Sequence, residues 1–182
     1  MLSEFRTKKI TREFKLFDAN HDGKLGLEDF EVAAARLVEA LGWPEGDPRS
    51  ADLRRQRAMI WEEMCVAADF NQSGQIDLEE YLSFYKRMTE EMGPDPESAA
   101  PWFRRVCAVH AESIGLGRAV DFESYERFIQ AHGLDIDARA SFDRLDLDSN
   151  GLLDPEECVL LCLQFYLAED PALPGNALWG II

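Results

Sequence analysis

Apolar residues recur every three to four positions along most of the chain, which is the spacing of an amphipathic helix. In the first predicted helix this stripe consists of Phe5, Ile10, Phe14 and Phe17, and Ser3 precedes it as the capping residue. The same spacing predicts seven further helices, at residues 27–41, 50–68, 78–92, 97–112, 122–132, 138–145 and 156–167. No run alternates apolar and polar residues between hairpin turns, so the pattern predicts an all-α fold.

Glycine and proline divide these helices into two halves. Residues 93–96 (Gly-Pro-Asp-Pro) break the chain near its middle and predict a boundary between residues 1–92 and residues 97–167. Each half holds four helices in two pairs, and each pair flanks a short loop, so the chain repeats a helix–loop–helix unit four times. We expect residues 168–182 to form a non-helical apolar tail that packs on the core.

The chain is strongly acidic. Its 182 residues include 35 Asp and Glu against 19 Lys and Arg, which gives a formal net charge of −16. Such a charge repels phosphate backbones and attracts cations, so we expect no direct binding to nucleic acid. The acidity does not indicate disorder, because 46% of the residues are hydrophobic and follow a helical period. No stretch approaches the roughly 18 unbroken apolar residues of a membrane span.

The sequence also bears on the cellular location of the protein, the redox state of its cysteines and whether it is an enzyme. The first residues lack the apolar run of a signal peptide and the four cysteines form no CxxC pair, so we expect a cytoplasmic protein with reduced thiols. Cys158 and Cys162 are predicted to be core residues. The sequence holds no Ser/His/Asp or Cys/His arrangement and no phosphate-binding glycine-rich loop, so we predict that the protein is not an enzyme.

Three of the four loops share a twelve-residue pattern of oxygen-bearing side chains, the pattern of an EF-hand calcium loop. Positions 1, 3, 5, 7, 9 and 12 supply oxygen ligands, position 7 through its backbone carbonyl, and position 6 is the glycine that turns the chain with a positive φ. Position 8 points inward and pairs with the partner loop. Three such loops, each between two amphipathic helices, predict three calcium sites.

The first loop, residues 18–29 (DANHDGKLGLED), departs from the pattern at two positions. Its candidate ligands are Asp18, Asn20, Asp22, the carbonyl of Lys24, and Asp29. Gly26 leaves position 9 to a water molecule, and position 12 is aspartate instead of glutamate. Because aspartate is one methylene shorter, a bidentate contact is harder to make, and we expect this site to tolerate Mg²⁺ best.

The second and fourth loops match the pattern at every ligand position. In residues 69–80 (DFNQSGQIDLEE) the candidate ligands are Asp69, Asn71, Ser73, Gln75, Asp77 and Glu80. In residues 146–157 (DLDSNGLLDPEE) they are Asp146, Asp148, Asn150, Leu152, Asp154 and Glu157. With four carboxylates, the fourth loop is expected to select Ca²⁺.

The third loop, residues 113–124 (SIGLGRAVDFES), is degenerate. Position 1 is Ser113, position 6 is Arg118, position 12 is Ser124, and Asp121 alone offers a carboxylate. One carboxylate beside an arginine cannot replace the hydration of a divalent cation. We therefore predict a structural loop whose Val120 pairs with the inward residue of the fourth loop, Leu153.

These features resemble the sarcoplasmic calcium-binding protein group, including its calexcitin-like members. The resemblance covers nearly the whole chain. It rests on the loop starts at residues 18, 69, 113 and 146, the long link through residues 42–44, the run FDANHDGKLGLEDFE with aspartate at position 12, and the ending GNALWGII. It implies a compact globule of two EF-hand pairs with at most three functional loops. It also implies a cytosolic calcium buffer, sometimes with a signalling role.

Two other functions stay open. A calcium sensor would expose an apolar groove to a protein target, although nothing in the sequence requires one. A luciferin-binding relative would use its four tryptophans and eleven phenylalanines to line a cavity. An ordinary aromatic core explains them better, because His21, His110 and His132 are scattered along the chain. We expect a monomer whose tail, with Leu173, Leu178, Trp179, Ile181 and Ile182, folds back into the groove.

Overall fold

The computed structural model describes residues 2–93, 103–104, 107 and 119–181. Within them the chain forms seven α-helices: α1 Glu4–Phe17, α2 Leu27–Ala40, α3 Pro48–Ala68, α4 Leu78–Met92, α5 Phe122–Ala131, α6 Ala138–Leu145 and α7 Pro155–Leu167. Four two-residue strands lie in the loops: β1 Lys24–Leu25, β2 Ile76–Asp77, β3 Val120–Asp121 and β4 Leu152–Leu153. The all-α prediction, with short loop-to-loop strands, is confirmed. Most of the helix predicted at 97–112 lies outside the described residues.

Side-chain caps set where the helices begin. Ser3 Oγ accepts a hydrogen bond from the Arg6 amide at 3.1 Å, as predicted for the cap of α1. Helix α3 begins two residues earlier than the apolar pattern predicts. There Asp47 accepts from the Arg49 amide at 2.9 Å, and Pro48 occupies the first helical position, where no amide donor is needed.

Two antiparallel strand pairs join the loops. β1 pairs with β2 so that Leu25 lies opposite Ile76, and β3 pairs with β4 so that Val120 lies opposite Leu153. The predicted pairing of the third loop with the fourth is therefore confirmed. All four of these inward residues are buried. Each strand pair thus fixes two loops side by side with their apolar side chains in the core.

One hydrophobic core spans both halves of the chain. Helix α2 packs against α5, and α1 packs against α7. Aromatic pairs such as Phe30 and Trp61, whose ring centroids lie 5.6 Å apart, fill the interior. Cys158 and Cys162 are buried in this core as unpaired thiols, which confirms their predicted role. None of the helices in the described part of the chain combines the length and apolar composition needed to cross a membrane.

The residues after α7 return to the core. Leu178 and Trp179 are 3% and 2% exposed. The Trp179 ring contacts Phe128 and Phe165, with centroids 5.9 and 6.4 Å apart. Two expectations for this segment are wrong. Residues Pro174–Ala177 form a 3₁₀ turn, because Pro174 fixes φ in a helical range, and Ile181 is 51% exposed.

A buried lysine of α1 holds this segment in place. Lys9 is fully buried, and its Nζ donates to the Ala168 carbonyl at 3.0 Å and to Asn176 Oδ1 at 2.9 Å. Burial lowers the pKa of Lys9 to about 7. The hydrogen bonds connect the first helix directly to the last segment of the chain.

One turn further along α1, the fully buried Glu13 lies under the tail. Its carboxylate accepts hydrogen bonds from the hydroxyls of Tyr166 and of Tyr81, the latter at 2.9 Å. The Trp179 indole faces the same carboxylate without reaching hydrogen-bond geometry. Burial raises the pKa of Glu13 to about 7, although the two tyrosine hydroxyls oppose that change. Glu13 is therefore the polar centre of an interface between α1, α4, α7 and the tail.

Candidate metal centres

The backbone of the three complete loops turns at two positions. The position-6 glycines Gly23, Gly74 and Gly151 have φ between 80° and 84°, as the pattern predicts. Position 4 also has a positive φ in each loop, near 60°, although no glycine occupies it. Those residues are His21, Gln72 and Ser149, and they are the non-glycine positions with positive φ in the described part of the chain. The twelve-residue pattern does not predict this second turn, because it sets no requirement at position 4.

The aspartate at position 1 organises the first half of each loop. Asp18 Oδ2 accepts a hydrogen bond from the Gly23 amide at 3.0 Å, and Oδ1 accepts from the Asp22 amide at 3.1 Å. The other two loops repeat both contacts with position 6 and position 5. For Asp69 the donors are Gly74 and Ser73, and for Asp146 they are Gly151 and Asn150. The loop thus wraps around the carboxylate of its own first residue.

The carboxylate at position 12 lies across the loop from position 1. In the first loop Asp29 accepts from the Gly26 amide at 2.8 Å and from the Asn20 amide at 3.1 Å. Glu80 makes the same two contacts, with the amides of Asp77 and Asn71. Glu157 accepts from the Asp154 amide at position 9 and from the Leu147 amide at position 2, one residue earlier than in the other two loops. Asp29 therefore spans its loop despite its shorter side chain, and both of its oxygens are used in doing so.

The oxygens of positions 3, 5 and 7 also converge. In the second loop Ser73 Oγ donates to the Gln75 carbonyl at 3.0 Å, which brings the position-5 and position-7 oxygens together. In the first loop Asn20 Oδ1 accepts from the Asp22 amide at 2.9 Å. The Lys24 side chain leaves the loop and donates to Gln75 Oε1 at 3.2 Å across the strand pair. Only the carbonyl of Lys24 is therefore available to an ion.

The fourth loop gathers its acidic groups most closely. Oxygens of Asp146, Asp148 and Glu157 lie within 4.8 Å of one another. Asn150 Nδ2 donates to Asp148 Oδ2 at 2.9 Å and so keeps position 5 beside position 3. The Leu152 side chain is exposed, and this residue can contribute its carbonyl. Such a set of hard oxygens suits Ca²⁺ or Mg²⁺.

The side chains of the two aspartates at position 9 accept hydrogen bonds from the helices that follow their loops. Asp77 Oδ1 accepts from the Glu80 amide at 2.9 Å, and Asp154 Oδ1 accepts from the Glu157 amide at 2.9 Å. Both residues cap the helices that follow their loops, and their side chains face the helix N-termini. From that position each would contact an ion through a water molecule, as is common at position 9.

In the third loop the structure describes residues 119–124. Asp121 caps α5 by accepting from the Ser124 amide at 2.8 Å. The one carboxylate at a ligand position of this loop is therefore already engaged at the helix N-terminus. Ser113 and Arg118, at positions 1 and 6, lie outside the described residues.

Comparisons with known proteins agree with this geometry. The family model of the EF-hand domain pair matches residues 7–86, and the EF-hand model matches residues 138–157. The sarcoplasmic calcium-binding protein beta chain of Penaeus sp. is 35% identical over 80 residues, which are 42% of this chain and 39% of that protein. Calexcitin-1 of Caenorhabditis elegans is 22% identical over 186 residues, which cover 98% of this chain and 87% of that protein.

Solved structures share the whole fold. A sarcoplasmic calcium-binding protein from amphioxus has a TM-score of 0.72 at 22% identity, over 99% of this chain and 98% of that one. The coelenterazine-binding protein from Renilla muelleri has a TM-score of 0.74 at 19% identity, over all of both chains. The matched family models describe EF-hand modules, in line with the prediction that the chain is not an enzyme. Residues 7–86 and 138–157 are therefore EF-hand modules, and the chain as a whole resembles the sarcoplasmic calcium-binding protein and calexcitin group.

Proposed function

We propose that this protein is a cytoplasmic calcium buffer that binds three Ca²⁺ ions, in the loops 18–29, 69–80 and 146–157. The observation that carries the proposal is the opposed pair of carboxylates at positions 1 and 12, which the same backbone amides hold in each loop. The ions would be held by the oxygen ligands predicted for each loop, with water completing position 9. Three ions would add +6 to a chain of formal charge −16.

The third loop is not part of the proposal. Its position 12 is Ser124, which has one hydroxyl where the other loops have a carboxylate, and Asp121 serves as a helix cap. Its contribution is structural, because Val120 holds the fourth loop in place through Leu153.

The first site is proposed to accept Mg²⁺ as well as Ca²⁺. Asp29 uses one oxygen toward Gly26 and the other toward Asn20, at opposite ends of the loop. Its short side chain therefore favours a single-oxygen contact with an ion at the loop centre. A six-coordinate shell with one oxygen from position 12 suits Mg²⁺, whereas Ca²⁺ prefers the extra oxygen.

Burial of the tail supports a buffer over a sensor. A sensor offers an apolar groove to its target when calcium is bound. Here the chain's own Trp179 occupies the interior between Phe128 and Phe165, and Lys9 anchors the segment through Asn176. A segment joined covalently has a high effective concentration and competes with any external helix.

Calorimetric titration tests the proposal. We expect three calcium ions per chain, and with millimolar Mg²⁺ present we expect the first site to lose the most apparent calcium affinity. Glu157→Gln should remove one ion, because it removes the negative charge and one of the two carboxylate oxygens at position 12 of the fourth loop. Glu156→Gln is the matched control: it changes the exposed neighbouring glutamate on the same helical turn and should leave all three sites intact.

The two other functions, calcium sensor and luciferin-binding protein, predict different results with the same samples. A sensor would bind a hydrophobic dye more strongly after calcium is added, and a buffer would not. A luciferin-binding protein would show quenched tryptophan fluorescence and saturable binding when coelenterazine is titrated. Either result would overturn the assignment as a simple buffer.

A further inference from the structure

The buried carboxyl group of Glu13 contacts helices that adjoin the second and fourth calcium loops, and it lies on the helix that leads into the first. Tyr81 is on α4, directly after Glu80, the position-12 residue of the second loop. Tyr166 is on α7, whose first turn carries Glu157, the position-12 residue of the fourth loop. One carboxyl group therefore connects one helix from each of the three complete loops.

The two oxygens of Glu13 bind different helices. Oε2 accepts a hydrogen bond from the Tyr81 hydroxyl at 2.9 Å, and Oε1 accepts one from the Tyr166 hydroxyl. All three side chains are buried, so losing either bond would leave a buried polar group without that partner, which is costly. A displacement of α4 or of α7 away from α1 therefore acts on the same carboxyl group.

This contact joins the two halves of the chain, which the strand pairs do not. β1 and β2 join the first loop to the second, and β3 and β4 join the third to the fourth. In the part of the chain that the structure describes, no strand links the fourth loop to either of the first two. Tyr81 belongs to the first half and Tyr166 to the second, so Glu13 provides a hydrogen-bonded link between them.

An ion would act on this link through position 12. A bound ion draws the carboxylates of positions 1 and 12 towards one centre, whereas without an ion those carboxylates repel one another. Glu80 and Tyr81 lie on the same helix, as do Glu157 and Tyr166. Because a helix is a rigid element, a shift at position 12 also shifts the tyrosine hydroxyl that faces Glu13.

We propose that Glu13 is a positioning residue that couples calcium binding in the fourth loop to calcium binding in the second loop, an inference that rests on the calcium sites proposed above. When one site is filled, the tyrosine of its helix holds the Glu13 carboxyl group where the other tyrosine can reach it. The second ion then has less ordering to do, so the coupling is positive. By linkage it acts equally in both directions, and we expect a factor of about five in affinity.

The test is a site-resolved titration with chelator-buffered calcium. The amide resonances of Gly74 and Gly151 report the two sites separately, because each amide donates to the position-1 aspartate of its own loop. Glu157→Gln, which empties the fourth site, should weaken calcium binding in the second loop about fivefold. In Tyr81→Phe or Tyr166→Phe, which remove one hydroxyl and keep the ring, the same change should weaken it less than about twofold.

Further variants separate coupling from packing. Glu13→Gln should retain the coupling, because its amide can accept from one tyrosine hydroxyl and donate to the oxygen of the other. Glu13→Met fills the space without those hydrogen bonds and should abolish it. Tyr125→Phe is the matched control and should leave the fivefold effect unchanged. Tyr125 also directly follows position 12 of its loop, and its buried hydroxyl donates to the Leu178 carbonyl at 3.3 Å.

The outcomes distinguish this inference from the proposed function. If the second or the fourth loop binds no calcium, the proposed function and the coupling both fail. If both loops bind calcium and Glu157→Gln leaves the affinity of the second loop unchanged in the native chain, the coupling alone fails. Full coupling in Glu13→Met, or a loss in Tyr125→Phe as large as that in Tyr166→Phe, would also overturn the role given to Glu13.

Discussion

The ammonium group of Lys9 donates a hydrogen bond to Asn176 Oδ1, 2.9 Å away, and thereby joins the first helix to the last turn of the chain. The lysine is fully buried, so this bond and the one to the Ala168 carbonyl replace its contact with water. Trp179 follows three residues after Asn176 and fills the space between α5 and α7. Anchoring by Lys9 and burial of Trp179 therefore act on the same segment.

Removal of that segment should expose the interior. Deleting residues 172–182 is expected to lower the free energy of unfolding by at least about 3 kcal/mol, because Leu178 and Trp179 lose their burial. The truncated, calcium-loaded chain should also bind a hydrophobic dye. Ile181→Ser is the control within the same segment, and since Ile181 is half exposed it should change stability by no more than about 0.5 kcal/mol. A truncated chain of full stability that binds no dye would contradict the role given to the tail.

Close packing makes Gly175 irreplaceable. A Cβ at this position would lie 2.3 Å from the Leu161 carbonyl oxygen and 2.6 Å from Gln164 Cβ. Gly175→Ala should therefore destabilise the chain by about 1–3 kcal/mol, since the 3₁₀ turn must move away from α7. Urea unfolding measures the change, with the exposed Ala172→Ser as the control. Equal midpoints for Gly175→Ala and the native chain would show that the turn does not press on α7.

Glu13 should give the stability a specific dependence on pH. Its pKa is raised from 4.5 to about 7 in the folded chain, so between these pH values the folded state binds more protons than the unfolded state. Its contribution to stability is therefore complete below pH 4.5 and is lost as the pH rises through about 7. Across this range the native chain should lose about 3 kcal/mol relative to Glu13→Gln.

Urea unfolding of both chains at pH 5 and pH 7.5, with calcium saturating, measures that difference. Lys9 acts with the opposite sign and at higher pH. Its pKa is lowered from 10.5 to about 7, so its contribution grows as the pH rises between those values. Stabilities of the native chain and Glu13→Gln that change in parallel between pH 5 and pH 7.5 would contradict the assignment to Glu13.

Exchanging the position-12 residues should exchange the ion preference of two sites. Asp29→Glu is expected to lower Mg²⁺ affinity relative to Ca²⁺ in the first loop, because the longer side chain can offer both oxygens. Glu80→Asp should raise the same ratio in the second loop. Competition titrations with the two ions measure both ratios. The idea fails if neither substitution changes its ratio, or if both change it in the same direction.

Much of this architecture follows from local sequence features. Helix α4 begins at Leu78 and α6 at Ala138, as their apolar stripes predict, and the structure adds a capping aspartate before each start. The start of α3 was misplaced because Asp47 and Pro48 extend it beyond its apolar stripe. Loop spacing likewise indicated the pairing of Val120 with Leu153, since both residues occupy the inward position of their loops.

Other features depend on contacts that the sequence pattern does not encode. Lys9 and Glu13 occupy a helix of mixed polarity, and their burial comes from partners more than 60 residues away, such as Tyr81 and Asn176. The positive φ of His21 results from the wrapping of the loop around Asp18 and not from a preference of histidine. The cap role of Asp77 was missed because a carboxylate at position 9 also fits the ligand pattern.

Native mass spectrometry of the intact chain, with calcium added stepwise, counts bound ions directly. We expect saturation at three ions for the native chain and for Glu156→Gln, and at two ions for Glu157→Gln. A fourth ion on the native chain would mean that the loop containing Ser124 binds calcium. Saturation at two or fewer would mean that one of the three carboxylate-paired loops does not.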